Sequence, residues 1–243
     1  MRSDLFLFWF NLLKLYLKGY KGDKEYFEFQ KYQAQHLIND IRSILPLDRK
    51  DSVYDYGCGK GGYTSVLSQY FDDVLAVDFY DDICKEGSSS NVNFEKADLT
   101  FYRGKPRDFL FCASVIEHIQ KDKQKDFIVN LRNNIKDGGY LYLSFPPFHS
   151  INGGHYAAPF HYLPDNIALW LTRKTRKRDV YSYGSMFGEF GLSKTSIQEV
   201  EKMLKDAGFK IIKIGSRYMP DWYIRLFAGN NFLNWHVEFF CKK

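Results

Sequence analysis

A chain of 243 residues is long for one α/β unit and short for two, so one domain spanning residues 1–243 with additions is expected. Hydrophobic residues at 45% are ample for a core, and a net charge of +5 admits an anionic substrate or membrane surface without calling for nucleic acid. Cys58, Cys84, Cys112 and Cys241 form no CxxC pair, which speaks against a disulfide framework or a thiol zinc site and for reduced cysteines in the cytoplasm.

At the N-terminus, the run from Leu5 to Leu13 is too short, and too interrupted by Asn11 and Lys14, to span a bilayer. No small-residue cleavage site follows it. On a helix Asp4, Asn11, Lys14 and Lys18 share one narrow stripe. Residues 1–24 are therefore predicted as an amphipathic helix, covered by the domain itself, a homodimer mate or a membrane surface.

From Glu25 to Leu45, Ala34, Leu37, Ile38, Ile41 and Ile44 recur at helical spacing, and Pro46 ends the segment. The apolar strand Val53-Tyr54-Asp55-Tyr56 runs into Gly57-Cys58-Gly59-Lys60-Gly61-Gly62 and then a helix through Val66, Leu67, Tyr70 and Phe71. A second strand ends on Asp78, a third near Asp98, and a fourth, from Phe109 to Ala113, precedes Glu117-His118. The next helix carries Phe127, Ile128, Leu131 and Ile135, with Gly138-Gly139 expected as its stop before a fifth strand at Tyr140 to Phe145. Ser196-Ile197-Gln198-Glu199 is a capping box for a late helix, and strands near Phe209 to Ile214 and His236 to Cys241 complete seven.

This alternation predicts a doubly wound, mainly parallel seven-stranded sheet covered on both faces. Residues 148–193 break the alternation after the fifth strand. Additions at the carboxyl ends of parallel strands overlie the ligand crevice, so this insertion is expected to be a substrate lid.

Gly57, Gly59 and Gly62 satisfy GxGxxG between a strand and a helix, where backbone N–H groups can approach a ligand. Asp55 lies inside the strand, two residues before the first glycine, and Asp78 and Asp98 end the next two strands. On these residues, in this order, the chain resembles the class I S-adenosylmethionine-dependent methyltransferases. The likeness covers roughly residues 50–145 and 194–243. It implies a Rossmann-like methyltransferase with S-adenosylmethionine as cofactor. By position, Asp55, Gly57, Gly59 and Asp78 would hold the methionyl and ribose parts and Asp98 the adenine, with Leu99 and Ser114 also counted as cofactor-binding, and the segment from Ser114 to His118 would flank cofactor and substrate. Asp78 also stands about where an NAD enzyme keeps its ribose acid. An oxidoreductase, an RNA methyltransferase and a non-catalytic cofactor-binding subunit therefore stay open as alternatives.

Methyl transfer to a hydroxyl requires a base; an amine requires only its neutral form. Glu117, His118 and His155 are the catalytic candidates. His155 is the first choice, because Gly153-Gly154 lets backbone carry its ring inward and an imidazole titrates near neutrality. The spacing of His149, His155 and His161 in one loop would suit a metal site, but loop histidines more often pack or face solvent, and no metal is expected. The basic run Arg173-Lys174-Thr175-Arg176-Lys177-Arg178 is read as a solvated helix face, with RNA or anionic lipid as the sharper options. The acceptor expected is a small molecule or glycan, O- or N-methylated, with nucleic acid disfavoured and peripheral membrane contact left open.

Overall fold

Side chains along the strands alternate between two apolar clusters, and that alternation places helices on both faces of one sheet. The computed structural model describes residues 10, 11, 14, 23–80, 89–176, 183, 191–217 and 219–243. The N-terminal segment expected as an amphipathic helix lies largely outside the described residues, as does Cys84.

Helix α1 (Asp23–Ile44) leads into β1 (Ser52–Tyr56), then α2 (Gly62–Tyr70), β2 (Asp73–Asp78), β3 (Val92–Lys96) and β4 (Arg107–Ala113). There follow α3 (Gln124–Asn133), β5 (Ile135–Phe145), α4 (Asp165–Arg176), α5 (Ile197–Asp206), β6 (Lys210–Ser216), α6 (Asp221–Phe227) and β7 (Val237–Lys242). The seven strands are ordered β3-β2-β1-β4-β5-β7-β6, and β7 runs antiparallel to both its neighbours. Chain order reverses between β1 and β4, so the crevice beyond their carboxyl ends is the ligand position of such sheets.

On one face Val53, Phe109, Phe111, Tyr142 and Phe240 pack under α1 and α2, against Leu37, Ile38, Ile41, Val66 and Leu67. On the other, Tyr54, Tyr56, Leu110, Leu141 and Phe239 pack under α3 and α5, against Phe127, Leu131, Ile197, Val200 and Leu204. The capping box at Ser196 forms as expected, with both reciprocal hydrogen bonds present.

One boundary differs from the sequence reading. The helix does not reach Gly138-Gly139: α3 stops at Asn133, and Ile135 is the first residue of β5. Asn134 is the reason. Fully buried, it accepts from the Gly104 N–H at 2.9 Å and donates to the carbonyls of Tyr102 (2.8 Å) and Asn130 (3.0 Å). A side chain that completes the last helical turn and ties it to the β3–β4 loop ends the helix before any glycine is needed. Asn134→Ala should therefore cost about 2–3 kcal/mol, since it leaves the Gly104 donor without its partner, and should lower Tm by roughly 5–10 °C in a thermal melt. A shift of a degree or less would show that the loop is held by other means.

The insertion is tied down at both ends. The Phe148 N–H donates to the Thr195 carbonyl at 2.9 Å, and Ser193 donates from its N–H to Glu117 O (2.7 Å) and from its hydroxyl to Ile119 O (2.6 Å). Between them lie two short 3-10 turns and α4. Arg173 and Lys174 lie on α4, and the Lys174 ammonium sits 5.0 Å from the Trp170 ring centre. Lys177 and Arg178 lie outside the described residues.

Candidate functional site

The loop after β1 is anchored to β2: the N–H groups of Gly57 and Cys58 donate to Val77 O at 2.8 and 3.3 Å. Gly57 has φ +88°, and a Cβ there would run into the Val115 side chain, so conformation and space both demand glycine. Gly59 donates its N–H to Asp78 Oδ2 at 2.8 Å, and Tyr80 donates to Oδ1 at 3.1 Å. Each carboxylate oxygen can accept a second hydrogen bond, so Asp78 is held in place with capacity left for a ligand hydroxyl.

Gly62 serves a different purpose from the one its motif position suggests. A Cβ on it would collide with the Phe27 carbonyl, the Lys31 nitrogen and the Gln30 side chain. It is the point where α1 crosses the start of α2. Gln30 accepts the Gly62 N–H at 3.3 Å, Gln33 accepts the Tyr63 hydroxyl at 2.7 Å, and Lys60 pairs with Asp23 at 3.1 Å. Helix α1 is thus clamped onto the glycine loop.

Asp55, 1% exposed, accepts the Thr64 hydroxyl at 2.5 Å. Burial, outweighing that hydrogen bond, raises its carboxyl to about 7, with the charge of Asp78 adding to the rise. Asp98 is exposed just beyond β3, where its Oδ1 accepts the Thr100 N–H at 2.9 Å. Leu99 is buried, with its side chain within van der Waals reach of a Cβ at Gly57 and its carbonyl accepting from Tyr56 at 2.9 Å. Ser114 adopts φ +58° at the end of β4 and donates its N–H to Ser144 O at 2.8 Å.

The three catalytic candidates come together. Glu117 and His118 lie on one 3-10 turn, Ile116–His118, and His155 reaches them from the insertion. His155 Nε2 is 3.7 Å from Glu117 Oε1, and the rings of His118 and His155 meet edge-on with centroids 5.1 Å apart. Glu117 is 1% exposed and neither oxygen has a hydrogen-bond partner; burial raises its carboxyl to about 8. His118 Nδ1 lies 2.6 Å from Gly191 O, so this nitrogen carries the proton and Nε2 keeps its lone pair.

The paired glycines act as expected. A Cβ on Gly153 would strike the carbonyls of Pro147 and Phe148, and one on Gly154 the His161 ring. His155 itself takes φ +44°. The expectation that its ring titrates near neutrality is corrected, because burial first, then His118 and His161, lower it to about 3. It is a neutral nitrogen donor with little capacity to keep a proton. His149 is exposed and stacks on Phe232, and His161 is buried with Nε2 3.1 Å from Ser150 O. The metal site weighed and set aside in the sequence was a set of those three histidines; the structure separates them and groups His155 with Glu117 and His118 instead.

One site residue was missed in the sequence. Arg217, buried just past β6, donates to the Ser144 hydroxyl and to Tyr63 (3.1 Å) and Tyr142 (3.4 Å), and its charge acts on Glu117. Tyr26, on the first turn of α1, is 40% exposed, and its hydroxyl is raised to about 12, chiefly by burial and then by the charges of Tyr63 and Glu117 and, more weakly, Asp78. Arg217 becomes visible only when β6 is extended to Ser216, beyond the Ile214 at which the sequence reading ends it.

Residues 26–214 match the methyltransferase domain family. The chain therefore belongs to that family, among the class I S-adenosylmethionine-dependent methyltransferases. It is similar to phosphoethanolamine N-methyltransferase 3 of Arabidopsis thaliana, 27% identical over 139 residues, which cover 51% of this chain and 28% of that protein. It is also similar to trans-aconitate 2-methyltransferase of Agrobacterium fabrum, 25% identical over 128 residues, covering 51% and 49%. The chain thus spans less than half the length of either relative. Among solved structures, the fold matches a methyltransferase from Clostridium acetobutylicum with TM-score 0.58 at 15% identity, covering 86% of this chain and 89% of that one. It also matches the N-methyltransferase NodS of Bradyrhizobium japonicum bound to S-adenosyl-L-homocysteine, with TM-score 0.53 at 12% identity, covering 85% and 86%.

Proposed function

We propose that the protein transfers a methyl group from S-adenosylmethionine to a small molecule held under the 148–193 insertion. The observation that carries this reading is the convergence of Asp55, Gly57, Gly59 and Asp78 beyond β1 and β2, with Asp55 buried and Asp78 fixed by two backbone donors. The residues fit the cofactor. A buried acid suits a ligand bearing a sulfonium and an ammonium, and an oriented carboxylate suits ribose hydroxyls. When bound, the cofactor supplies a methyl group on a positively charged sulfur.

The chain itself supplies alignment and exclusion of water. Helix α1 bounds one side through Gln30, and the insertion bounds the other through His155. Both named relatives act on small anionic molecules, which supports a small-molecule acceptor, and Arg217 gives the acceptor end a fixed positive charge.

Calorimetric titration tests the assignment. S-adenosylmethionine and S-adenosylhomocysteine should bind in the micromolar range, and Asp78→Ala should weaken both more than tenfold, the loss of about 1.5–3 kcal/mol from a charged acceptor. Binding of NAD(H) with no heat from either sulfur nucleotide would overturn the reading.

A further inference from the structure

We propose that Glu117, His118 and His155 form a binding site for a divalent first-row transition metal ion, whose remaining coordination positions receive an oxygen of the methyl acceptor. The metal stands on the three side chains alone; its use for the acceptor rests on the methyltransferase reading.

The ligand atoms of these residues all lie within 4.8 Å of one another. Metal bonds of about 2.0–2.2 Å at tetrahedral angles require separations of about 3.4 Å, so side-chain rotations closing the widest separation by up to about 1.4 Å complete the set. Three features point to a cation and away from a packing cluster. Glu117 is 1% exposed with both oxygens unpartnered, an arrangement that wastes a buried acid unless something positive meets it. His155 Nε2, also buried and without a hydrogen bond, is aimed at that carboxylate from 3.7 Å. His118 gives its Nδ1–H to Gly191 O at 2.6 Å, the kind of outer-sphere bond that fixes a histidine ligand's tautomer.

Two imidazoles and one carboxylate suit zinc, cobalt, manganese or iron(II) better than magnesium or calcium, which prefer oxygen ligands throughout. Three protein ligands leave positions open, as in catalytic sites. A hydroxyl bound there loses its proton more readily, and the proton leaves to water. The acceptor oxygen then forms its bond to the methyl carbon as the carbon–sulfur bond breaks with its electron pair on sulfur. Such a site removes the need for a strongly basic side chain, which His155 is not.

The test uses full-length protein stripped with chelator, titrated with Zn²⁺ by calorimetry and with Co²⁺ by visible absorption. One equivalent of each should bind, with cobalt ligand-field bands, and Mg²⁺ should not compete. Glu117→Gln, His118→Ala and His155→Ala should each weaken Zn²⁺ about a hundredfold or more, at least the cost of losing an outer-sphere partner. His149→Ala should leave the affinity unchanged, and circular dichroism checks that each variant is folded. Failure of the parent protein to bind Zn²⁺ or Co²⁺, or equal affinity in all three folded variants, would overturn the proposal. S-adenosylmethionine binding measured on the same samples reports separately on the methyltransferase reading.

Discussion

Asp55→Asn should make the protein more stable above neutral pH and a poorer binder of S-adenosylmethionine. Asp55 is buried and its carboxyl is raised from the ordinary range to about 7. Below about pH 4 the folded and unfolded chains both hold this proton. Between there and about pH 7 the unfolded chain releases it while the folded chain retains it, so stability falls as pH rises through that window and levels off above it. The full loss is on the order of 4 kcal/mol. Asparagine removes the ionisation and can still accept the Thr64 hydroxyl. Denaturant unfolding at pH 5.5, 7 and 8.5 should show the variant gaining on the parent protein as pH rises. Calorimetry at pH 8 should show S-adenosylmethionine weakened more than tenfold, and S-adenosylhomocysteine, whose sulfur is neutral, weakened less. Parent-like cofactor binding, or a variant whose stability never overtakes the parent's, would show that Asp55 is a purely structural acid.

The second large effect concerns turnover. His155→Ala should lower methyl transfer by roughly a hundredfold or more while cofactor affinity stays within about twofold, because His155 faces Glu117 and His118 and not the glycine loop. A panel of small hydroxy and amino compounds supplies the acceptor for the assay. His149→Ala is the control, since that ring is exposed and only stacks on Phe232. His161→Ala is a poor one: the ring is buried against Gly154 and its loss disturbs the turn that presents His155. Parent-like turnover in His155→Ala would exclude the cluster from the chemistry.

The parts of this protein that were legible in its sequence are those written locally. Strand, glycine loop and helix follow one another within about twenty residues, Asp55 stands in the strand just before that loop, and Asp78 and Asp98 stand at or just past strand ends. The capping box at Ser196 is a four-residue signal, and it forms as read. The boundary between α3 and β5 was not legible, because Ile135 continues the helical spacing while the deciding group, Asn134, acts through partners about thirty residues away. Gly62 satisfied a ligand motif, yet it is constrained by α1, which no spacing within the loop reveals. Arg217 meets Tyr63, Tyr142 and Ser144 only through tertiary packing. The three candidates for catalysis were each visible alone; that Glu117 and His155, 38 residues apart, come within 3.7 Å of each other is a property of the fold.

The carbonyl that orients His118 belongs to Gly191, and Ser193 beside it is hydrogen-bonded to Glu117 and Ile119. The returning end of the insertion therefore steers the groups it covers. Because the contact from Gly191 is made by main chain and not by a side chain, the orientation of His118 depends on the path of the backbone through residue 191 and tolerates a change of residue type there.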